Sequence, residues 1–129
     1  MKQIRVSAGK GKYKITLVAV ATKDGLIVSL VGGEKPHVGA VAISIPRPSL
    51  KNSSKFSATT SIFTITGHKD DELAKPVAER LAKEFTQTVV VIAGVHIDRA
   101  SDDDIRKLVY NSEQAVKNLL KKMKSTSIK

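Results

Sequence analysis

A chain of 129 residues, 41% of them apolar, has material for one hydrophobic core and one domain. Cysteine is absent, which excludes disulfides, thiolate nucleophiles, iron–sulfur clusters and cysteine-ligated zinc, so a metal would have to be held by His, Asp or Glu. The net charge of +10 attracts phosphates, nucleic acid, anionic cofactors or acidic protein surfaces without choosing among them.

The first half of the chain reads as strand after strand. "QIRVSA" alternates Ile4 and Val6 with polar neighbours, and "KYKITLVAV" sets Tyr13, Ile15 and Leu17 on one face against Lys14 and Thr16 on the other. Between them "GKGK" is a glycine turn, and it lacks the spacing of a phosphate-binding P-loop. Asp24-Gly25 predicts left-handed residues in a tight hairpin leading into "LIVSLV". "VGAVAISI" is apolar or small on both faces, the pattern of a strand covered on both sides. "PRPSLKNSSK" is a loop, and "FSATTSIFTIT" returns as a fifth strand.

From there the period changes. Leu73, Val77, Leu81 and Phe85 recur every four residues beside Ala74, Ala78 and Ala82, the stripe of an amphipathic helix whose Pro76 belongs in the first turn or kinks it. "TVVVIAGV" has the look of a buried central strand. A second helix opens on a capping box, Ser101 with Asp104, and carries Ile105, Leu108, Val109, Val116, Leu119, Leu120 and Met123 on one face. The order predicts an α+β sandwich: a mixed, mainly antiparallel sheet of about six strands with two helices, as five strands, helix, strand, helix. Residues 1–122 read as a single domain and 123–129 as a basic, frayed tail. The lysines are spread over helix surfaces and that tail, and the five aromatics form no RNA-reading arrangement, so a solvated basic face is favoured over a nucleic-acid patch. No signal-peptide pattern or bilayer-length apolar run is apparent, and a soluble, cytoplasmic protein is expected.

Topology alone gathers the three histidines. If strands four and five form a hairpin, the start of one and the end of the other share an edge, which brings His37 to His68. A right-handed crossover through the first helix makes "TVVVIAGV" parallel to strand five and delivers His96 to the same edge. Each histidine follows a glycine-bearing turn, "GGEKPH", "TGH" or "AGVH", and a histidine there can simply bond a loop; three together point to a site. With Asp70 or Asp98 they could ligate zinc or iron, though without the i, i+4 pairing of a metalloprotease helix. An anion fits better: glycine N–H groups, the positive end of the first helix, Lys35 and Lys69 favour a phosphate, while Asp70, Asp71 and Glu72 oppose it. There is no nucleophile elbow and no arguable triad, so catalysis is not expected. The hydroxyl-rich "SATTS" fits ordinary β-propensity or, functionally, a polar lining for an elongated ligand.

"GGEKPHVGAVAISIPRPS", "SATTS", "TGHKDDELAKPVAERLAKEF" and "VVVIAGVHIDRASDDDI" together resemble the prenylated-flavin chaperone family typified by the small D subunit of gallate decarboxylase, over roughly residues 25–115. The resemblance implies a fold like that of the small heterodimeric proteasome assembly chaperones, binding of prenylated flavin mononucleotide (FMN), and help in loading it into decarboxylases of the UbiD type. It carries the motif histidines onto His37, His68 and His96, with Gly32, Gly33, Gly39, Gly67 and Gly94 shaping the backbone around them. With Lys35, Lys69 and Asp98 these form the candidate cofactor-binding set, and Val38, Ile65 and Val95 would supply aliphatic walls for the flavin ring. The expected protein is a homodimeric, non-enzymatic carrier of prenylated FMN or FMN serving a UbiD-type decarboxylase. A protein-assembly chaperone without a small ligand is the main alternative, ahead of a metal-dependent hydrolase and a nucleic-acid binder.

Overall fold

The computed structural model describes residues 2–52, 54–65 and 70–125. Six strands and two helices follow one another as β1 (Lys2–Ala8), β2 (Ile15–Ala21), β3 (Gly25–Gly33), β4 (Ala40–Pro48), β5 (Phe56–Thr64), α1 (Asp71–Phe85), β6 (Thr88–His96) and α2 (Asp102–Ser125). A short 3-10 turn, Gly11–Tyr13, joins β1 to β2 and uses left-handed Gly9 and Gly11, as the glycine turn predicts. The sheet order is β1-β2-β3-β6-β4-β5.

The crossover through α1 places β6 between β3 and β4, parallel to β3 and antiparallel to β4. It therefore runs in the same direction as β5, as expected, with β4 between them. β6 carries Val89, Val91 and Ala93 at full burial and occupies the centre of the sheet, where its β-branched run has the most to gain.

Both helices pack on one face. α1 lies over β4, β5 and β6, α2 lies over β1 and β2, and the two helices touch. The row Ala74, Ala78 and Ala82 beside Leu73, Val77 and Leu81 is buried, so small side chains let α1 approach the sheet closely. α2 buries Leu108, Val116, Leu119 and Met123 on the predicted face. Each fully buried aliphatic of this layer contributes roughly 1.5–3 kcal/mol. The Ser101/Asp104 capping box forms: the Asp104 N–H donates to Ser101 Oγ and the Ser101 N–H to Asp104 Oδ2, both at 3.0 Å.

Several local expectations change. Asp24 and Gly25 have no left-handed backbone; Gly25 already belongs to β3, and Thr22 closes the turn by donating both its N–H (2.9 Å) and its hydroxyl (2.8 Å) to the Gly25 carbonyl. Pro76 lies beyond the first turn of α1, on an exposed position, where it has no N–H to give the Glu72 carbonyl. α2 continues through Ser125 with Met123 buried, so a frayed tail can begin no earlier than residue 126, outside the described residues. The strand expected to be covered on both sides, β4, is covered on one only: Ala40, Ala42 and Ser44 are buried while Val41 and Ile43 are half-buried and Ile45 is exposed. The reason is that both helices come to the same face. Among the described residues no helix is long and apolar enough to cross a membrane.

Candidate functional site

Register brings the ends of β3, β5 and β6 and the starts of β2 and β4 to one end of the sheet. Ile15 faces Gly32, Gly33 faces His96, and Ala40 faces both Ala93 and Thr64. The glycines serve close backbone approach. A Cβ on Gly94 would lie 1.2 Å from the His37 carbonyl oxygen, and one on Gly33, whose φ is +76°, would lie 2.4 Å from that of His96. The link between β3 and β4 can thus lie directly along the end of β6. Glu34 and Lys35 donate their N–H groups to the His96 carbonyl at 2.7 and 3.4 Å, His37 to that of Gly94 at 3.4 Å, and Gly39 to that of Ala93 at 2.8 Å.

This segment sets His37 between two oxygens. Nδ1 lies 3.0 Å from the Lys35 carbonyl and Nε2 lies 3.2 Å from Asp70 Oδ2, so a proton on either ring nitrogen has an acceptor. Asp70 is the residue before α1, but its side chain does not cap the helix; it turns inward, 3% exposed, and its Oδ1 accepts the Val95 N–H at 2.7 Å. Gly39 is small so that this carboxylate can sit against it. A second pair lies beside the first. His96 Nε2 is 2.8 Å from Asp98 Oδ1, and the rings of His37 and His96 meet edge to face with centroids 5.9 Å apart. The His96 hydrogen bond first, then the Lys35 ammonium 3.6 Å away, hold the exposed Asp98 carboxyl below its ordinary value. The Asp98 N–H in turn donates to Glu34 Oε1 at 2.9 Å.

The predicted set is therefore brought together in part. Gly33, Lys35, His37, Gly39, Gly94, His96 and Asp98 form one cluster, and Gly32 lies next to it against the Lys14 carbonyl. Gly67, His68 and Lys69 lie outside the described residues. The N–H groups of Gly33 and Gly39 are spent on the Lys14 and Ala93 carbonyls, and Asp70, Asp98 and Glu34 add negative charge, so this corner has less to offer an anion than the glycine count implied. Among the described residues no group of three His, Asp or Glu is arranged to hold a metal ion. Of the aliphatic walls, Val38 and Ile65 are 57% and 49% exposed, and Val95 is half-buried.

Sequence reasoning missed a second concavity at this end, a cavity of about 430 Å³ lined by Lys10, Tyr13, Arg106, Lys107, Tyr110 and Asn111. It holds both tyrosines of the chain. Tyr13 is fixed by its hydroxyl donating to Asp104 Oδ1 at 2.6 Å and by Asn111 Nδ2 donating to its carbonyl at 2.7 Å, with the Lys107 ammonium 4.8 Å from the ring centre. The Tyr13 hydroxyl and the Ser101 N–H pull the Asp104 carboxyl down to about 2. The sequence signal was the pairing of scarce aromatics with cations: Lys10 and Lys12 precede the first tyrosine, and Arg106 and Lys107 precede the second by one helical turn.

The two-layer arrangement defines the structural class. The fold is that of a protein in the crystal structure of a novel chaperone complex for yeast 20S proteasome assembly, with a TM-score of 0.56 and 15% identity over 97% of this chain and 98% of that one. No curated protein matches the chain. The family model of the prenylated flavin chaperone LpdD-like domain matches residues 9–124, and the chain belongs to that family.

Proposed function

We propose that this chain is a non-enzymatic carrier that binds prenylated FMN, or FMN, at the glycine- and histidine-bearing end of its sheet and assists its loading into a UbiD-type decarboxylase in the cytoplasm. The observation that carries this reading is the family match over residues 9–124. The geometry supports it in two ways. The tyrosine cavity offers aromatic surface with Lys10, Arg106 and Lys107 for a phosphate, while the histidine pairs offer hydrogen-bonding groups beside exposed Val38 and Ile65. Two strand spacings, about 10 Å, separate β6 from β2, a span that a flavin nucleotide covers. Both features open to solvent, which suits a protein that must release what it holds.

The test mixes apo-decarboxylase, prenylated FMN and this protein and follows the decarboxylase rate. His37→Ala and Tyr110→Ala are expected to lower the activation while far-UV circular dichroism stays unchanged, and the protein alone is expected to turn over nothing. FMN is expected to bind tighter than riboflavin in low-salt calorimetry, because only FMN brings the dianion. Wild-type activation by both variants together with equal affinity for the two flavins would refute the carrier reading. It would favour a protein-assembly chaperone without a small ligand, the reading to which the likeness in fold lends itself.

A further inference from the structure

We propose that the groove between α2 and the outer edge of β1 binds single-stranded nucleic acid. The fold gathers cations that are far apart in the chain. Residues 2–14 and 101–125 hold 11 of the 22 Lys and Arg but 4 of the 12 Asp and Glu, so +7 of the net +10 lies where α2 packs on β1 and its turn. Because Met123 is buried, Lys117, Lys121 and Lys124 are held on a docked helix. With Lys107, Tyr110 and Gln114 they form a stripe of residues three and four apart, about 25 Å long. Glu113, to one side of the stripe, is the only acid between Asp104 and the end of the helix. Lys117, Lys121 and Lys124 are exposed and make no ion pair with another described residue.

The floor of the groove is made of donors. Asn111 and Asn118, two turns apart on α2, donate to the carbonyls of Tyr13 (2.7 Å) and Ser7 (3.0 Å), and Lys122 Nζ reaches that of Arg5 at 3.4 Å. The bond from the Gly33 N–H to the Lys14 carbonyl fixes which residues of β2 face β3. Alternation then turns the N–H and C=O of Arg5 and Ser7 to the free edge of the sheet. Since α2 takes those two carbonyls, the edge presents N–H groups and is unsuited to the addition of another strand. Two cavities lie in line along this seam. One is the tyrosine cavity, and the other, of about 590 Å³, lies between Arg5, Val6 and Ser7 of β1 and Asn118, Lys121 and Lys122 of α2.

Donors and ammonium groups select a polyanion, and the tyrosines select its kind. The acids at the start of α2 are engaged: Asp103 with Arg106 and Lys107, Asp104 with Tyr13. Tyr110 is 60% exposed, and Tyr13 has the Lys107 ammonium 4.8 Å from its ring centre, so ring faces stand among cations at one end of the groove. A basic groove that follows phosphates, beside rings on which bases stack, is the chemistry of single-strand binding. A duplex keeps its bases stacked inside, and an acidic protein surface has no base to set on the rings. The stripe matches roughly four extended nucleotides, the small end of single-strand sites. This activity goes beyond the carrier reading and shares only the tyrosine cavity with it.

Fluorescence anisotropy of the full chain with labelled RNA and DNA strands of about 12 nucleotides, their duplexes and polyglutamate of equal charge tests it, at about 50 mM salt and above. Single strands of either sugar are expected to bind at least ~10-fold tighter than duplex or polyglutamate. Their log affinity is expected to fall against log salt with a slope of about −3, as for about four phosphates. Lys117→Glu with Lys121→Glu is expected to weaken single-strand binding at least ~10-fold, with FMN affinity unchanged because both positions lie outside the flavin features. Should that pair fail to fold by circular dichroism, Lys117→Gln with Lys121→Gln is expected to bring the slope to about −1.5. Tyr110→Leu is expected to cost single strands about 10-fold and polyglutamate nothing. Polyglutamate or duplex binding as tightly as single strands, or a single-strand affinity and salt slope unchanged in the folded charge variants, would overturn the proposal. Flavin binding without oligonucleotide binding would overturn this proposal alone and leave the carrier reading standing.

Discussion

Replacing Gly94 with alanine tests how the candidate site is held. The new Cβ would lie 1.2 Å from the His37 carbonyl oxygen, 2.2 Å from its carbon and 2.9 Å from its nitrogen, all main-chain atoms that no rotamer change can move. Residues 34–39 would have to lift by about 2 Å to restore an ordinary carbon–oxygen contact. That displacement removes the hydrogen bonds from Gly39 to Ala93 (2.8 Å) and from His37 to Gly94 (3.4 Å), and strains the one from Glu34 to His96 (2.7 Å). At about 1 kcal/mol net for each bond, the cost is roughly 2–3 kcal/mol. It corresponds to a fall in Tm of the order of 10 °C for a domain of this size. Urea denaturation measures the free energy, and proton–nitrogen spectra of the imidazoles report whether His37 leaves Asp70. A variant within about 0.5 kcal/mol of the parent, with unchanged His37 resonances, would show that the segment does not depend on the missing Cβ.

Other outcomes follow from the same geometry. Asp70→Ala orphans the Val95 N–H and takes the carboxylate from His37 Nε2, and is expected to cost about 2–3 kcal/mol, against about half that for Asp70→Asn, which keeps an oxygen toward Val95; equal losses in urea melts would contradict this. Asp104 has its folded pKa lowered to about 2 from 3.8, so its stabilisation is fully present above about pH 4 and is lost as pH falls toward 2. The Tm gap between the parent and Asp104→Asn is therefore expected to be open at pH 6 and closed near pH 2, and a constant gap would exclude the carboxylate as its cause. Leu81→Ala, at a fully buried position of α1, is expected to cost about 2–5 kcal/mol in the same denaturation assay.

The fold was largely legible because each element advertises itself by period. The four-residue recurrence of Leu73, Val77 and Leu81 could only bury a helix stripe, and the β-branched run of β6 could only sit well in mid-sheet. His37 and His96 were placed together by connectivity alone, since a right-handed crossover returns β6 in the direction of β5. Asp70 was weighed as a helix-terminal charge, because its inward turn depends on Val95 and Gly39, which are 25 and 31 positions away. The tyrosine cavity needed the docking of α2 onto the turn at Gly11–Tyr13, a contact between residues about a hundred positions apart.

By itself the sequence determined what depends on near neighbours: the strand and helix stripes, the Ser101 capping box, the glycine turn and the strand direction that gathers the chain's ends. Only the tertiary structure decided what depends on distant packing: that both helices cover the same face, that the apolar outward faces of β4 and β6 are left open, and that Asp70 turns from its helix to His37. Periodicity records which face of an element is apolar, whereas the identity of the surface that covers it is fixed by the summed burial of every element at once.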